Sequence, residues 1–206
     1  MVPHSYDLTV FDHPVHVLPL GYIADSEGKA VQTIGDFRGG NRRGFILETK
    51  FRDFLNALHP QAVERDVPRP EQQLLVDMAN KRLVALLPEG GALSELDDVV
   101  PVMRKDLVID SDLGDGGYRV RVGGDKTIDL SDLAMRFALL VDSRRDLSTI
   151  AAAVREGLLE DASDREWATE AEKVTGRTLD QLLADAALEL IASFRSAGAA
   201  TLEPTD

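Results

Sequence analysis

Apolar residues recur at three- and four-residue intervals in two neighbouring stretches of the C-terminal half. In the first stretch, Leu133, Phe137 and Leu140 lie on one helical face. Asp129 or Ser131 stands where an N-cap side chain is needed. This spacing predicts a short amphipathic helix that begins near residue 131.

A second helix is predicted directly after a charged turn. Leu147, Ile150 and Val154 again share one face, and Asp146 or Ser148 can cap the first turn. The two stretches together predict a helix, a tight turn and a helix.

The best helix pattern of the chain covers residues 179–195. Leu179, Leu183, Leu190 and Phe194 fall on one side of it. Gly198 is placed to end the helix, because glycine adopts the left-handed conformation common after a last turn.

Strand patterns precede these helices. Residues 106–110, 118–122 and 126–130 alternate or cluster β-branched side chains, and turns rich in glycine and aspartate separate them. Three short strands plus three helices predict an α+β, winged-helix-like domain over residues 100–204.

The N-terminal half carries a mixed pattern as well. Its predicted elements are strands over residues 16–24, 29–37 and 83–88, and helices over residues 45–58 and 70–79. Glycine, serine and acidic residues cluster between positions 90 and 98, as is typical of a domain boundary. An N-terminal α+β domain is therefore expected over residues 1–95.

A faint internal similarity links the two halves. Residues 51–58 followed by 71–79 resemble residues 135–142 followed by 180–187. One interpretation makes the N-terminal domain a degenerate winged-helix repeat. The other is that any two amphipathic helices resemble each other to this extent.

Composition limits the classes of protein. The chain has 206 residues, of which 44% are hydrophobic and 29% charged, and these values are ordinary for one or two globular domains. It has no cysteine, which excludes disulfides, thiolate metal sites and a cysteine nucleophile. No apolar run approaches the ~20 residues of a membrane span, and no signal peptide is recognisable. A cytoplasmic location without membrane contact is expected.

The net charge of −13 argues against nucleic-acid binding, which relies on lysine and arginine to neutralise phosphates. Arg38, Arg42 and Arg43 form a basic cluster in a glycine-rich loop. They are candidate contacts for a partner or an anion, although such a loop is more often a hairpin tip. Arg144 and Arg145 present the same two alternatives at the turn between the predicted helices.

No catalytic constellation is recognisable. His13 and His16 belong to an N-terminal histidine and aspartate cluster, but a strand would place them on opposite faces. Residues 110–117 resemble a calcium loop without its ligand spacing, since Gly114 stands at a ligand position. The chain is therefore expected to be non-enzymatic, with no catalytic residue, no metal and no cofactor.

The order of these elements resembles a known family. Three strands are followed by Ile128-Asp-Leu-Ser-Asp-Leu-Ala, then by Leu139-Leu-Val-Asp-Ser-Arg-Arg-Asp-Leu-Ser-Thr-Ile-Ala, and last by a helix that ends in Phe194-Arg-Ser-Ala-Gly. This run is similar to the PqqD-like recognition elements for the precursors of ribosomally synthesised, post-translationally modified peptides. The resemblance covers residues 100–204 approximately.

The resemblance implies a function and a site. Such domains bind the leader segment of a precursor peptide as an added strand beside their third strand, with its side chains on the last helix. Transferred to this chain, the edge strand is Lys126, Thr127, Ile128 and Asp129. The facing helix contributes Leu182, Asp185, Ala186 and Glu189.

One segment departs from the family pattern. Residues 157–178 make a long connection between the second and third predicted helices and contain the only tryptophan, Trp167. A polar extra helix is predicted here, beginning at Ser163 and stopping near Gly176.

Three functional hypotheses follow from the sequence. The first is a non-catalytic accessory protein that binds a precursor leader by strand addition and delivers it to a separate modifying enzyme. The second is a winged-helix DNA-binding regulator, which would need a contiguous basic face. The third is a permanent partner subunit of a metal-dependent peptide-modifying oxidase.

Overall fold

A computed structural model describes residues 5–26, 29–34, 43–47, 68–114, 116–124 and 126–204. The chain has an α+β architecture with small sheets of two or three strands, which confirms the predicted class. It divides into two compact units, one formed by the described residues up to Glu89 and those from Thr201 onward, the other by Gly90–Ala200.

The first unit contains two small sheets and a helix. Its elements are a 3₁₀ turn (Leu8–Asp12), β1 (Val15–Pro19), β2 (Tyr22–Ser26), β3 (Lys29–Ile34), β4 (Arg43–Leu47), α1 (Arg69–Asn80) and β5 (Val84–Pro88). Strand β1 pairs antiparallel with β5, and β3 lies between β2 and β4.

A buried glutamine ties these two sheets together. The Nε2 group of Gln32, in β3, donates to the carbonyl of Leu20 (2.7 Å) and to that of Leu83 (2.8 Å). Gln32 is fully buried, and within the described residues its Oε1 atom has no hydrogen-bond partner. The side chain therefore acts as a donor to two strand ends.

Two N-terminal predictions need correction. Residues 45–47, predicted as the start of a helix, lie in β4 because Phe45, Ile46 and Leu47 pair with β3. The rest of that predicted helix lies outside the described residues. The strand predicted over residues 16–24 is two strands, interrupted at Gly21, whose φ of 70° favours glycine.

The second unit holds a three-stranded sheet and four helices in the described residues. Its elements are a 3₁₀ turn (Leu93–Leu96), β6 (Val99–Met103), β7 (Leu107–Asp112), β8 (Gly117–Val122), β9 (Lys126–Ser131), α2 (Asp132–Leu140), α3 (Leu147–Glu160), α4 (Ala162–Thr175) and α5 (Leu179–Ala197). A last strand, β10 (Ala200–Pro204), begins at the unit boundary.

Local signals in the sequence set the helix ends of this unit. Ser131 caps α2 by accepting from the N–H of Ala134 (3.2 Å), and Asp146 caps α3 by accepting from that of Thr149 (2.7 Å). Gly198, with φ of 64°, ends α5 as predicted.

The connection between α3 and α5 forms the predicted extra helix. It starts at Ala162, one residue earlier than expected, and Asp161 is its N-cap. Gly176, with φ of 68°, ends it.

In the described ranges, no helix is both long enough and apolar enough to cross a membrane.

We expect acid to loosen α4 through this cap. Hydrogen bonds from the Ser163 hydroxyl and from the backbone of Asp164 and Ser163 lower the pKa of Asp161. Because its folded-state pKa lies below the unfolded one, the stabilisation is complete above about pH 4 and disappears as the pH falls through the folded value. Asp161→Asn keeps a capping side chain that does not titrate, so its urea midpoint should fall less between about pH 5 and pH 2. Fluorescence of Trp167, which lies on α4, reports the unfolding transition. An equal fall of the urea midpoint in acid for the two proteins would contradict this role of Asp161.

Candidate functional site

The four predicted edge residues all lie in β9, one of the two edge strands of the β7-β8-β9 sheet. The register between β8 and β9 runs unbroken from Gly117 opposite Ser131 to Val122 opposite Lys126. Ile128 is half-buried, whereas Lys126, Thr127 and Asp129 are exposed. In the part of the chain that the structure describes, no strand pairs with the outer edge of β9.

Two hydrogen bonds near the ends of β8 show where its odd-numbered residues direct their backbone groups. The N–H of Leu113 donates to the carbonyl of Gly117 (2.9 Å), and the N–H of Gly123 donates to that of Asp106 (3.1 Å). Both bonds run toward the β7 side. Because backbone direction alternates along a strand, residues 119 and 121 also point toward β7.

The outward groups of β9 follow from this alternation. Thr127 and Asp129 lie opposite Arg121 and Arg119, so they form non-hydrogen-bonded pairs with β8. Their N–H and C=O groups therefore point away from the sheet, where an added strand would bind. The N–H of Ile128 points the other way and belongs to the ladder with β8.

The outward N–H of Ser131 is already occupied. It donates to Oε1 of Glu189 (2.9 Å), and the Ser131 hydroxyl donates to Oε2 of the same carboxylate (2.8 Å). Glu189 lies on α5, which packs against β9. The helix thus closes the outer edge at Ser131, and the edge beyond it is formed by Asp129 and Thr127.

The predicted helical residues share one face of α5 but differ in environment. Leu182, Ala186 and Glu189 recur at four- and three-residue intervals. Ala186 is buried and Leu182 is half-buried, whereas Asp185 is exposed and contacts Arg177. Leu182 is therefore the apolar side chain of this face that stays partly accessible, beside the carboxylates of Asp185 and Glu189.

An ion pair links β8 and β9 through side chains on one face of the sheet. The guanidinium of Arg119 binds both carboxylate oxygens of Asp129, each at 2.7 Å. This bidentate bond lowers the pKa of Asp129 and raises that of Arg119. The short distance between side chains in a non-hydrogen-bonded pair favours the contact.

Carboxylates neutralise much of the basic charge in this unit. Arg136 illustrates the pattern: burial disfavours its charge, but the hydrogen bonds that it donates to Asp164 and Asp132 outweigh burial and raise its pKa. At least six arginines of the unit contact a carboxylate in this way, namely Arg119, Arg121, Arg136, Arg145, Arg155 and Arg177. Exposed pairs of this kind stabilise little, yet they remove positive charge from the surface.

The other predicted contacts fall elsewhere. Arg38 and Arg42 lie outside the described residues, and Arg43 begins β4. At the inter-helix turn, Asp142 accepts from the backbone N–H groups of both Arg144 and Arg145, each at 2.9 Å, which is a turn stabilised by its own residues.

Within the described residues, neither metal-ligating side chains nor the cavity of the second unit supplies a second site. Across the described ranges, no group of three or more histidine, aspartate and glutamate side chains is arranged to hold a metal ion. An open cavity of about 230 Å³ in the second unit is lined in part by Ser94, Ser148 and the pair of Arg155 and Asp180. The two charges lie 3.4 Å apart and neutralise each other, and no histidine lines the cavity to activate either hydroxyl.

Sequence reasoning missed two residues that support this edge. Ser131 is identified by its sequence position as a helix cap, but its link to Glu189 spans 58 residues and has no local signal. Arg119 becomes the partner of Asp129 only once the hairpin register is known.

No family model, curated protein or solved structure matches this chain. Any functional assignment for the outer edge of β9 therefore depends on the geometry of the residues described above.

Proposed function

We propose that this chain is a non-catalytic accessory protein that binds the leader segment of a ribosomally synthesised precursor peptide. In this proposal the second unit is a winged-helix-like recognition domain related to the PqqD-like family. The leader adds as a strand to the outer edge of β9, and the protein presents the rest of the precursor to a separate modifying enzyme, which raises the local substrate concentration.

The outward backbone groups of Thr127 and Asp129 are the observation that supports this proposal most. They lie on an unbroken strand next to a helix with apolar and acidic positions. The opposite edge of the sheet, formed by β7, is less suited to strand addition, because the register of β7 with β8 shifts between Ile109 and Ser111. Such irregularities interrupt the hydrogen-bonding pattern that an added strand needs.

Charge favours a peptide over DNA. The chain has a net charge of −13, and much of the arginine charge of the second unit is paired with carboxylates. A regulator would need unpaired cations facing the phosphates. An acidic protein is better suited to a leader with basic or neutral side chains, since complementary charge speeds encounter.

Proline at position 127 provides the selective test. Thr127→Pro removes the outward N–H and leaves the ladder with β8 intact, whereas Thr127→Ala keeps that N–H. Substituting Ile128 would be less informative, because its N–H belongs to the ladder. We expect Thr127→Pro to weaken leader binding at least tenfold, about 1.4 kcal/mol, and Thr127→Ala to change it less than threefold.

Fluorescence anisotropy at two salt concentrations measures this binding. The probes are labelled synthetic leader segments from short reading frames next to the gene, and a labelled DNA duplex. Equal peptide affinity for both variants would reject strand addition at β9. Salt-sensitive binding to DNA alone would favour the DNA-binding regulator. A complex with the modifying enzyme that never dissociates would favour the permanent partner subunit.

A further inference from the structure

The inserted helix α4 exposes an apolar stripe that the leader-binding proposal does not use. Trp167 is 47% exposed and Val174 is 74% exposed. Val174 follows Trp167 by seven positions, so the two side chains lie almost in line along the helix. Isolated exposed apolar residues are ordinary, but these two lie two turns apart on one side of the helix, with the half-buried Ala171 between them.

An adjacent face of α4 is held in place by its own contacts. Asp164 accepts two hydrogen bonds from the guanidinium of Arg136, on α2, at 2.7 and 3.0 Å. Two turns later, Glu172 accepts from the N–H of Leu179, at the start of α5, at 2.6 Å. Ala168, between these two anchors, is buried. The helix is thus fixed on one side and presents the stripe of Trp167 and Val174 on another.

Carboxylates border this stripe. Glu170 lies three residues after Trp167 and four before Val174, and Glu166 lies one turn earlier. Both are exposed, and Lys173 pairs with Glu170 at 3.4 Å, so this border holds two carboxylates against one ammonium group. A surface that covers the stripe therefore meets negative charge at its edge.

This arrangement selects among occupants. In a two-fold pairing through the stripe, the acidic border of one copy would lie close to that of the other, in chains that each carry a net charge of −13. An anionic lipid surface would meet the same repulsion. A protein surface that is apolar at its centre and basic at its rim complements both the stripe and its border.

We propose that α4 is a docking helix for a partner protein with an apolar contact surface rimmed by lysine or arginine. The stripe of Trp167 and Val174 enters the apolar part, and Glu166 and Glu170 face the cations. The anchors to Arg136 and Leu179 hold the helix in its bound position, so little ordering is needed on association. This surface shares no residue with the outer edge of β9, and it binds whether or not a leader is bound.

The single tryptophan provides the readout. Two synthetic 18-residue amphipathic helices without tryptophan serve as probes, identical on a leucine face and carrying either lysine or glutamate on the other. We expect the lysine probe to shift the Trp167 emission to shorter wavelength with saturation, because the indole leaves water, and the glutamate probe to leave it unchanged.

Two charge-matched variants locate the binding. Val174→Asp alters the stripe, and Leu139→Asp introduces the same charge at an exposed leucine on α2 that lies outside it. We expect Val174→Asp to weaken binding of the lysine probe at least tenfold and Leu139→Asp to change it less than threefold. Far-UV circular dichroism of both variants checks that the fold is retained.

Three outcomes would overturn the proposal. Equal weakening by Val174→Asp and Leu139→Asp would show that the probe responds to overall charge. Binding of the glutamate probe with equal affinity would remove the role of the acidic border. Concentration-dependent self-association of the free protein that Val174→Asp abolishes, seen by sedimentation velocity, would make a second copy the occupant.

Discussion

Phe137→Ala should lower the free energy of unfolding of the second unit by about 3–5 kcal/mol. Phe137 is fully buried on α2, which packs against both α5 and β9. Removing the ring forfeits its transfer from water and leaves a cavity that these neighbours fill only in part. The loss would loosen the support that sets the outer edge of β9 next to α5.

A second substitution on the same helix provides the control. Leu139 is 68% exposed, so Leu139→Ala should change stability by less than about 0.5 kcal/mol. Urea unfolding followed by Trp167 fluorescence reports the second unit, since the tryptophan lies on α4. A cost below about 1 kcal/mol for Phe137→Ala would mean that the ring is not part of the packed core.

The sequence predicted this region better than the N-terminal half because its signals are local. Ser131, Asp146 and Gly198 act within one helical turn of where they stand. The structure uses Ser131 and Asp146, one of the two predicted caps at each helix start, and Gly198 ends α5 as predicted. Residues 45–47 were predicted wrongly because pairing with β3, more than ten residues earlier, overrides their helical spacing.

At the outer edge of β9 too, the sequence predicted the strand but not the contacts that depend on distant residues. Alternation predicted a strand over residues 126–130, and β9 extends over Lys126–Ser131. Which of its backbone groups face outward depends on the register with β8 and on two bonds to the β7 side. The closure of the edge by Glu189 joins residues 58 positions apart, so it required the folded chain.

Gln32→Glu should strongly destabilise the first unit at neutral pH. The substitution keeps the shape of the side chain but replaces the Nε2 donor with an oxygen that faces the carbonyls of Leu20 and Leu83. A fully buried carboxylate without a cation costs several kcal/mol, so we expect a loss on the order of 3 kcal/mol or more.

Acid should relieve this loss. Burial raises the folded-state pKa of the introduced carboxyl above its unfolded value of about 4.3. The charge penalty is then absent below about pH 4, grows as the pH rises, and is complete above the folded pKa. Below about pH 4 the neutral carboxyl can donate one hydrogen bond to one of the two carbonyls and recovers part of the native contact.

Gln32→Met separates this charge effect from the loss of donors. Methionine has a similar length and no donor, so it should cost about 1–3 kcal/mol at every pH. Amide hydrogen exchange of peptides covering β1 and β5 measures opening of the first unit, because these strands carry or flank the two carbonyls that Gln32 contacts. Protection that rises in acid for Gln32→Glu, relative to Gln32→Met at the same pH, would establish Gln32 as a buried donor. Parallel pH dependence of the two variants would contradict that role and would place the side chain in contact with water.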